Sequence, residues 1–430
     1  MEQALIGFAA LLLLSFIGIP LAFATLLVGL AGFALLRGLD PALSMASQQI
    51  VEITTSYNLS VIPLFVLMGS LINRARISGD LFEFSQALMG RFRGGLAMAT
   101  ILSCAGFSAV SGSSLATSAT MTKVAMPHLR RFGYDDRLST GALASGGTLG
   151  IMIPPSVPMV IFGLISQADI GKLFIAGILP GSLMVVLLLS AIHLTVRINP
   201  ALGPSGGPAS VVQILRGFLR CWPIMVLFLL VLGGIYLGIF TPTEAGAVGA
   251  GGACVFALSR GALRTIPDIL ETFGEALYTS ARIFSIAFAA LVFSNFVNLS
   301  GMPFDLVRWV MRMDLSPILL VLMIAVICMV MGTVFEAIGI LVLIIPVFLP
   351  ALGAAGVDLI WFGIVAILVI EIGLITPPIG MNVFTVKSMQ PDVPLTSIFA
   401  GVTPFLLANL MALVFILTIP AIATWLPSMM

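Results

Sequence analysis

The chain has 430 residues, 60% of them hydrophobic and only 9% charged, with a mean hydropathy of +1.18. A soluble domain carries about 25% charged residues, so a soluble multidomain protein is excluded, and the apolar mass requires a bilayer, where each spanning helix takes about 20 apolar residues. The net charge of +1 comes with 19 Lys and Arg scattered through short loops, so no basic stripe exists for a nucleic acid.

In chain order, the opening MEQALIGFAALLLLSFIGIP has no basic leader and no small-residue cleavage site, and reads as a retained first helix. Apolar runs broken by Gly, Pro or charge predict spans at 3–19, 21–36 and 57–75, a broken span at 138–168 and a span at 174–197. A cytoplasmic linker at 199–220 follows, flexible in its Gly-, Pro- and Ser-rich stretch 199–210. Beyond it come spans at 222–240, 244–259 and 280–299, a broken span at 357–386 and a span at 398–425. Two longer apolar stretches, 95–127 and 315–350, carry Gly and polar residues at their centres and read as re-entrant hairpins. The predicted fold class is an all-α polytopic membrane protein with about ten crossings plus two re-entrant helical hairpins.

Charge orients this layout. With the N-terminus outside, Arg74, Arg76, Arg91, Arg93, Arg130, Arg131, Arg137, Arg197, Arg216, Arg220, Arg260, Arg264 and Lys387 fall inside, against Arg37, Lys172, Arg308 and Arg312 outside. The sequence also repeats itself weakly: GIMIPP at 150–155 matches GLITPP at 373–378, and Pro127 matches Pro350, both at an offset of 223. Residues 1–198 and 221–430 thus form two repeats. Each holds five crossings and one hairpin, and an odd number of crossings inverts the second repeat relative to the first, an architecture of secondary transporters.

Polar residues at membrane depth are the candidate chemistry. Pro154, Pro155, Pro377 and Pro378 must break their helices and free carbonyls around Ile151 to Ile153 and Leu374 to Thr376. Such carbonyls with a nearby hydroxyl suit a hard cation, and a broken helix also offers a positive N-terminus to an anion. At the first hairpin tip, Ser108 to Ser114 surround Gly112; Thr117, Ser118 and Thr120 read equally as packing hydroxyls. At the second tip, Glu336 stands 223 residues after Ser113, and reads equally as a functional carboxylate, a helix cap or an arginine partner. Glu371 is open as a cation ligand, a proton carrier or a strut between broken helix ends. Glu244 is expected to cap the next helix, and Arg282 to snorkel to the surface. The four cysteines form no CxxC pair, the two histidines have no partners at metal-ligand spacing, and no phosphate-cradling loop is present, so neither an enzyme nor a transition-metal site is expected.

GFSAVSGSSLATSAT (106–120), GGTLGIMIPPSVPMVIFG (146–163) and EIGLITPPIGMNVF (371–384) together resemble the large membrane subunit, of DctM type, of the tripartite ATP-independent periplasmic (TRAP) transporters. That resemblance, over essentially the whole chain, implies an elevator-type fold in a bacterial inner membrane. It implies sodium-driven import of an organic acid such as a C4-dicarboxylate, a sialic acid or another sugar acid. The implied partners are a small four-helix membrane subunit and a periplasmic substrate-binding protein; since no extra helical block precedes Met1, the small subunit is expected as a separate chain. No cofactor is implied beyond sodium as coupling ion. The implied sodium sites pair Ser108, Ser111, Gly112 and Ser113 with Gly147, Thr148, Gly150 and Ile153, and pair Gly332, Thr333, Glu336 and Gly339 with Gly373 and Thr376. Substrate is implied near Ser113, Ser114, Ser156, Glu336 and Asn382. One position departs from the resemblance, which implies a Met-Asp type pair where this chain has Phe335-Glu336. Two other readings stay open: a stand-alone anion symporter of the same superfamily, and a channel or membrane scaffold.

Overall fold

A computed structural model describes residues 2–207 and 210–430. The first repeat runs through α1 (Glu2–Phe16), α2 (Leu21–Arg37), α3 (Leu39–Thr55), α4 (Val61–Arg74) and α5 (Ile77–Met89). The hairpin α6 (Gly95–Ser111) and α7 (Ser114–Arg131) follows, then the broken pair α8 (Asp136–Met152) and α9 (Val157–Ser166), and α10 (Ile170–Ile198). The second repeat runs through α11 (Val211–Tyr236), α12 (Pro242–Ser259), α13 (Ile266–Leu299) and α14 (Met302–Arg312). Its hairpin is α15 (Pro317–Gly332) and α16 (Ala337–Ala354), its broken pair α17 (Leu359–Leu374) and α18 (Met381–Met389), and its last long helix α19 (Leu395–Thr418).

The offset of 223 also relates helix bounds. Adding 223 to the bounds of α7 (114 + 223, 131 + 223) gives 337–354, the bounds of α16, and adding it to α8 gives 359–375 against 359–374 for α17. The start signals recur too: Asp135 caps α8 through the Arg137 N–H, and Asp358, 223 residues on, caps α17 through the N–H groups of Ile360 and Trp361. Both breaks fall at the Pro-Pro pairs, and the two Pro-Pro bonds are cis. The two repeats are not identical: α1 has 15 residues and α11 has 26. In the first, α3 and the segment 57–74 are bent by 59°, whereas the matching stretch of the second is the single 34-residue helix α13.

Several expectations are corrected. Stretches left outside the predicted spans, 37–56, 76–94 and 300–314, contain the helices α3, α5 and α14. These segments mix apolar residues with Asp80, Glu83, Asp305, Arg308 and other polar groups at helical spacing, so a search for continuous apolar runs passes over them. The linker is shorter than expected, because the capping box of Ser210 and Gln213 starts α11 at Val211. Its first half is pinned: Gly94 N–H donates to the Gly203 carbonyl at 2.9 Å, Gly206 N–H to Gly90 at 2.9 Å, and the Tyr134 hydroxyl to Pro204 at 2.6 Å. Residues 208 and 209 of that linker lie outside the described residues, as does Met1. Glu244 caps α12 as expected, in a capping box with Thr241. Among the described residues, five helices are long and apolar enough to cross a membrane alone, or up to seven if each bent pair is one span. The chain is thus an all-helical, multi-pass membrane protein, and a layout of ten crossings would require shorter helices such as the 15-residue α1 and the 17-residue α2 to span as well.

Packing gathers the helices around two centres that touch each other through α13 against α16 and α4 against α6. In one, α13 lies against α2 and α4, while α4 also packs on α12. In the other, both hairpins and both broken pairs gather with α10 and α19 around the buried α8 and α17. Gly141 and Gly401 let α8 and α19 touch backbone to backbone. The arginine-rich loops converge on one end of the molecule. There Arg74 pairs with Asp268 at 2.5 Å, Arg220 with Glu83 at 2.9 Å, Arg260 with Asp80, and Arg130 joins the repeats by binding Asp136 at 3.0 Å and Asp392 at 2.5 Å. The Arg130 hydrogen bond holds the Asp392 carboxyl below the usual carboxylate range.

Candidate binding site

Each hairpin tip meets the broken helix of its own repeat. At the first junction Gly112 ends α6 in the left-handed conformation (φ 57°), and a Cβ there would lie 3.0 Å from the Pro155 carbonyl oxygen. Glycine is what brings this tip onto the break. A Cβ on Gly150 would lie 2.5 Å from the Ser113 carbonyl oxygen, and one on Gly147 would strike Ser118. Ser113 caps α7, accepting the Ala116 N–H at 3.4 Å, and the Ser111 and Thr117 hydroxyls are 2.7 Å apart. The Ser108 and Thr148 hydroxyls donate within their own helices, to Cys104 at 2.6 Å and Ser145 at 2.6 Å, and keep only lone pairs to offer. Ile153 leaves the helix in an extended conformation, so the carbonyls before it end α8 without helical partners.

At the second junction the backbones themselves touch. A Cβ on Gly373 would lie 2.6 Å from the Gly332 Cα, and the Gly380 N–H donates to the Thr333 carbonyl at 3.0 Å. Thr376 turns back on its helix, with its hydroxyl 2.6 Å from the Ile372 carbonyl. Gly339 does not belong with this set: it is packed against Leu21 of α2, where a Cβ would collide. One turn past the tip, its α-carbon faces the neighbouring helix.

Two side chains of the second repeat reach into the first junction. Asn382 Nδ2 donates to Ser114 Oγ at 2.7 Å and to the Ala144 carbonyl at 3.2 Å, while Ser114 Oγ donates to the Gly147 carbonyl at 3.0 Å. Glu371, fully buried on α17, accepts the Ile151 N–H of α8 at 3.3 Å. Of the three roles open for Glu371, this is the geometry of the strut. Around them the buried Ser118, Ser145 and Ser156 hydroxyls, Glu371 Oε2 and Asn382 Oδ1 have no hydrogen-bond partner among the described residues. Buried polar atoms normally find one, so this junction has oxygens to spare for a small polar guest.

A cavity of about 320 Å³ opens where the two tips face the other helix group. Ser111 to Ala116 of the first tip, Glu336 to Ile338 of the second, and Ile151, Val157 and Pro158 of the break line one side. Ser70 and Asn73 of α4 and Glu275, Thr279 and Arg282 of α13 line the other. Ser113, Ser114 and Glu336 border the cavity, whereas Ser156 is buried behind the break and Asn382 reaches it through Ser114. Glu336 heads α16 but makes no side-chain capping bond; its Oε2 lies 3.6 Å from Nη2 of Arg282. Arg282 does not begin its helix. Because α13 starts at Ile266 and not near 280, the arginine stands sixteen residues into the helix (282 − 266), about 24 Å from its start. Sequence reasoning missed the scaffold side of the cavity, although Glu275, Thr279 and Arg282 follow the i, i+4, i+7 spacing of a polar stripe on one helix face.

The profile of the family described as "Tripartite ATP-independent periplasmic transporter, DctM component" matches residues 8–422. The chain belongs to this family. It is 34% identical to the C4-dicarboxylate TRAP transporter large permease protein DctM of Pseudomonas aeruginosa, over 93% of each chain. It is 30% identical to the sialic acid large permease SiaM of Vibrio cholerae, over 100% of this chain and 99% of that one, and 33% identical to the 2,3-diketo-L-gulonate large permease YiaN of Escherichia coli, over 94% of each. The YdaH transporter of Alcanivorax borkumensis shares the fold, with a TM-score of 0.64 over 88% of each chain at 16% identity. These relatives are transport proteins, and the permease chain described here is a transporter component and not an enzyme.

Proposed function

We propose that this chain is the sodium-coupled, membrane-embedded half of a binding-protein-dependent importer of an organic acid anion. The observation that carries the reading is the cavity itself: both hairpin tips and a broken helix on one side, a polar stripe of α13 on the other. The two tip-to-break junctions would hold sodium, each combining carbonyls released by a Pro-Pro break with tip oxygens that replace part of a cation's hydration shell. Ser111, Gly112, Ser113, Gly147, Gly150 and Ile153 serve the first, with lone pairs of Ser108 and Thr148; Gly332, Thr333, Gly373 and Thr376 serve the second. The substrate occupies the cavity against Ser113, Ser114 and Glu336, with Ser156 and Asn382 behind it.

The hairpins, broken pairs, α10 and α19 move as the elevator, and α2, α4, α12 and α13 stay as the scaffold. The cavity adjoins the arginine-rich end of α4 and α13, the cytoplasmic end by charge, so the conformation described is one that releases cargo inward. By analogy with its relatives the cargo is a C4-dicarboxylate, a sialic acid or a sugar acid. A small membrane subunit and a periplasmic binding protein complete the system in a bacterial inner membrane. The test is uptake by proteoliposomes holding this chain and its small subunit, with the loaded binding protein outside. A sodium gradient should drive uptake; equal uptake from a proton gradient in sodium-free buffer would defeat the proposal.

A further inference from the structure

We infer that Arg282 is the residue that recognises the carboxylate of the cargo, and that Glu336 occupies it in the empty carrier. The inference rests on the transport reading above and deepens it. Arg282 is the cationic side chain among the residues lining the cavity, whose other charged members are Glu275 and Glu336. An anion entering this space meets two carboxylates and one guanidinium, so its binding depends on what Arg282 is doing. A guanidinium offers five N–H donors in a planar fork that matches a carboxylate two bonds at a time. Here it uses little of that capacity: the 3.6 Å separation from Glu336 exceeds the 2.7–3.2 Å of a hydrogen bond, and the side chain is 67% exposed. Loose, exposed ion pairs of this kind are weak, and a carboxylate that docks bidentately displaces one.

The pair also spans the two helix groups. Arg282 stands on α13 of the scaffold, and Glu336 at the head of the mobile α16, where it forms no capping bond. The carboxylate is thus free to leave Arg282 without unravelling the helix. Cargo binding exchanges one carboxylate for another on a fixed arginine and uncouples Glu336 from the scaffold.

The experiment uses the permease with its small subunit in nanodiscs, titrated with succinate, N-acetylneuraminate and 2,3-diketogulonate while the thermal unfolding midpoint is followed. Arg282→Met should raise the half-saturating concentration of the acid that stabilises the wild type at least tenfold, and Arg282→Lys should recover part of that loss. Glu336→Gln should move it the other way, lowering it severalfold, because the competing carboxylate is gone. Unliganded midpoints within a degree or two of wild type show that the variants fold. An Arg282→Met half-saturation within twofold of wild type, or a Glu336→Gln variant that loses affinity as Arg282→Met does, overturns the inference. Failure of sodium-driven uptake by the wild type would instead overturn the transport reading, and these binding titrations need no gradient.

Discussion

The two junctions share a plan and differ in what holds them. The second is closed by backbone alone, Gly332 on Gly373 and Gly380 on Thr333, and its break is open: Thr376 and Ile379 are half-buried, and Pro377 and Pro378 are exposed. The first is enclosed, with Pro154, Pro155 and Ser156 buried, and is strapped by Glu371 and Asn382 from the other repeat. The straps run one way. The matching positions in the first repeat, 371 − 223 and 382 − 223, are Thr148, which bonds its own helix, and Met159, which packs on Gly177 of α10. The two frames are alike in backbone, and the side chains of one repeat make the other's junction depend on them.

That contrast can be broken in several ways. The largest effect concerns access: Ile379→Cys and Ser156→Cys stand at matching positions, and a polar thiol reagent should label the first at least about tenfold faster, since reactivity follows exposure. Equal labelling would erase the open-versus-enclosed distinction. Next, Gly150→Val and Gly373→Val should each lower stability by about 3 kcal/mol, because both press a side chain into backbone atoms; thermal unfolding in detergent measures this, and a tolerated valine would mean the junction is loose. Glu371→Ala should cost about 2–3 kcal/mol by removing the bond to the Ile151 N–H and leaving a buried hole, with Glu371→Gln closer to wild type because an acceptor remains. Asn382→Ala should cost about 1–2 kcal/mol. Thr148→Val, which removes only a bond within its own helix, should cost under about 1 kcal/mol. If it matches Glu371→Ala, the asymmetry is false.

Much of this frame was legible in the sequence because it is local. The Pro-Pro pairs break helices through covalent geometry, the glycine-centred tips mark turns, and the offset of 223 can be read without any structure. The Glu244 cap was likewise local. What stayed hidden depends on distance or on mixed patterning. Glu371 meets Ile151 across 220 residues (371 − 151), and Arg282 was misplaced because the polar opening turns of α13 hid its true start. The helices α3, α5 and α14 escaped because an apolar run is a poor detector of amphipathic segments. Gly339 entered the second sodium site through the resemblance, while a Cβ there would meet Leu21 of α2.

The constancy of the offset has a consequence for how such a chain can change through descent. From Ser113 and Glu336 to Asp358 and its twin Asp135, and on to the Pro-Pro pairs, the two copies keep step without a single residue gained or lost. One inserted residue in α8 would turn everything after it by about 100° and shift it by about 1.5 Å. Gly150 would then face away from Ser113, and Ile151 away from Glu371. Length is free to drift before this block, where the offset falls to 220 at Gly18 and Gly238. Inside the helices of the block, a residue gained or lost would break these contacts, whereas a substitution can leave the register intact.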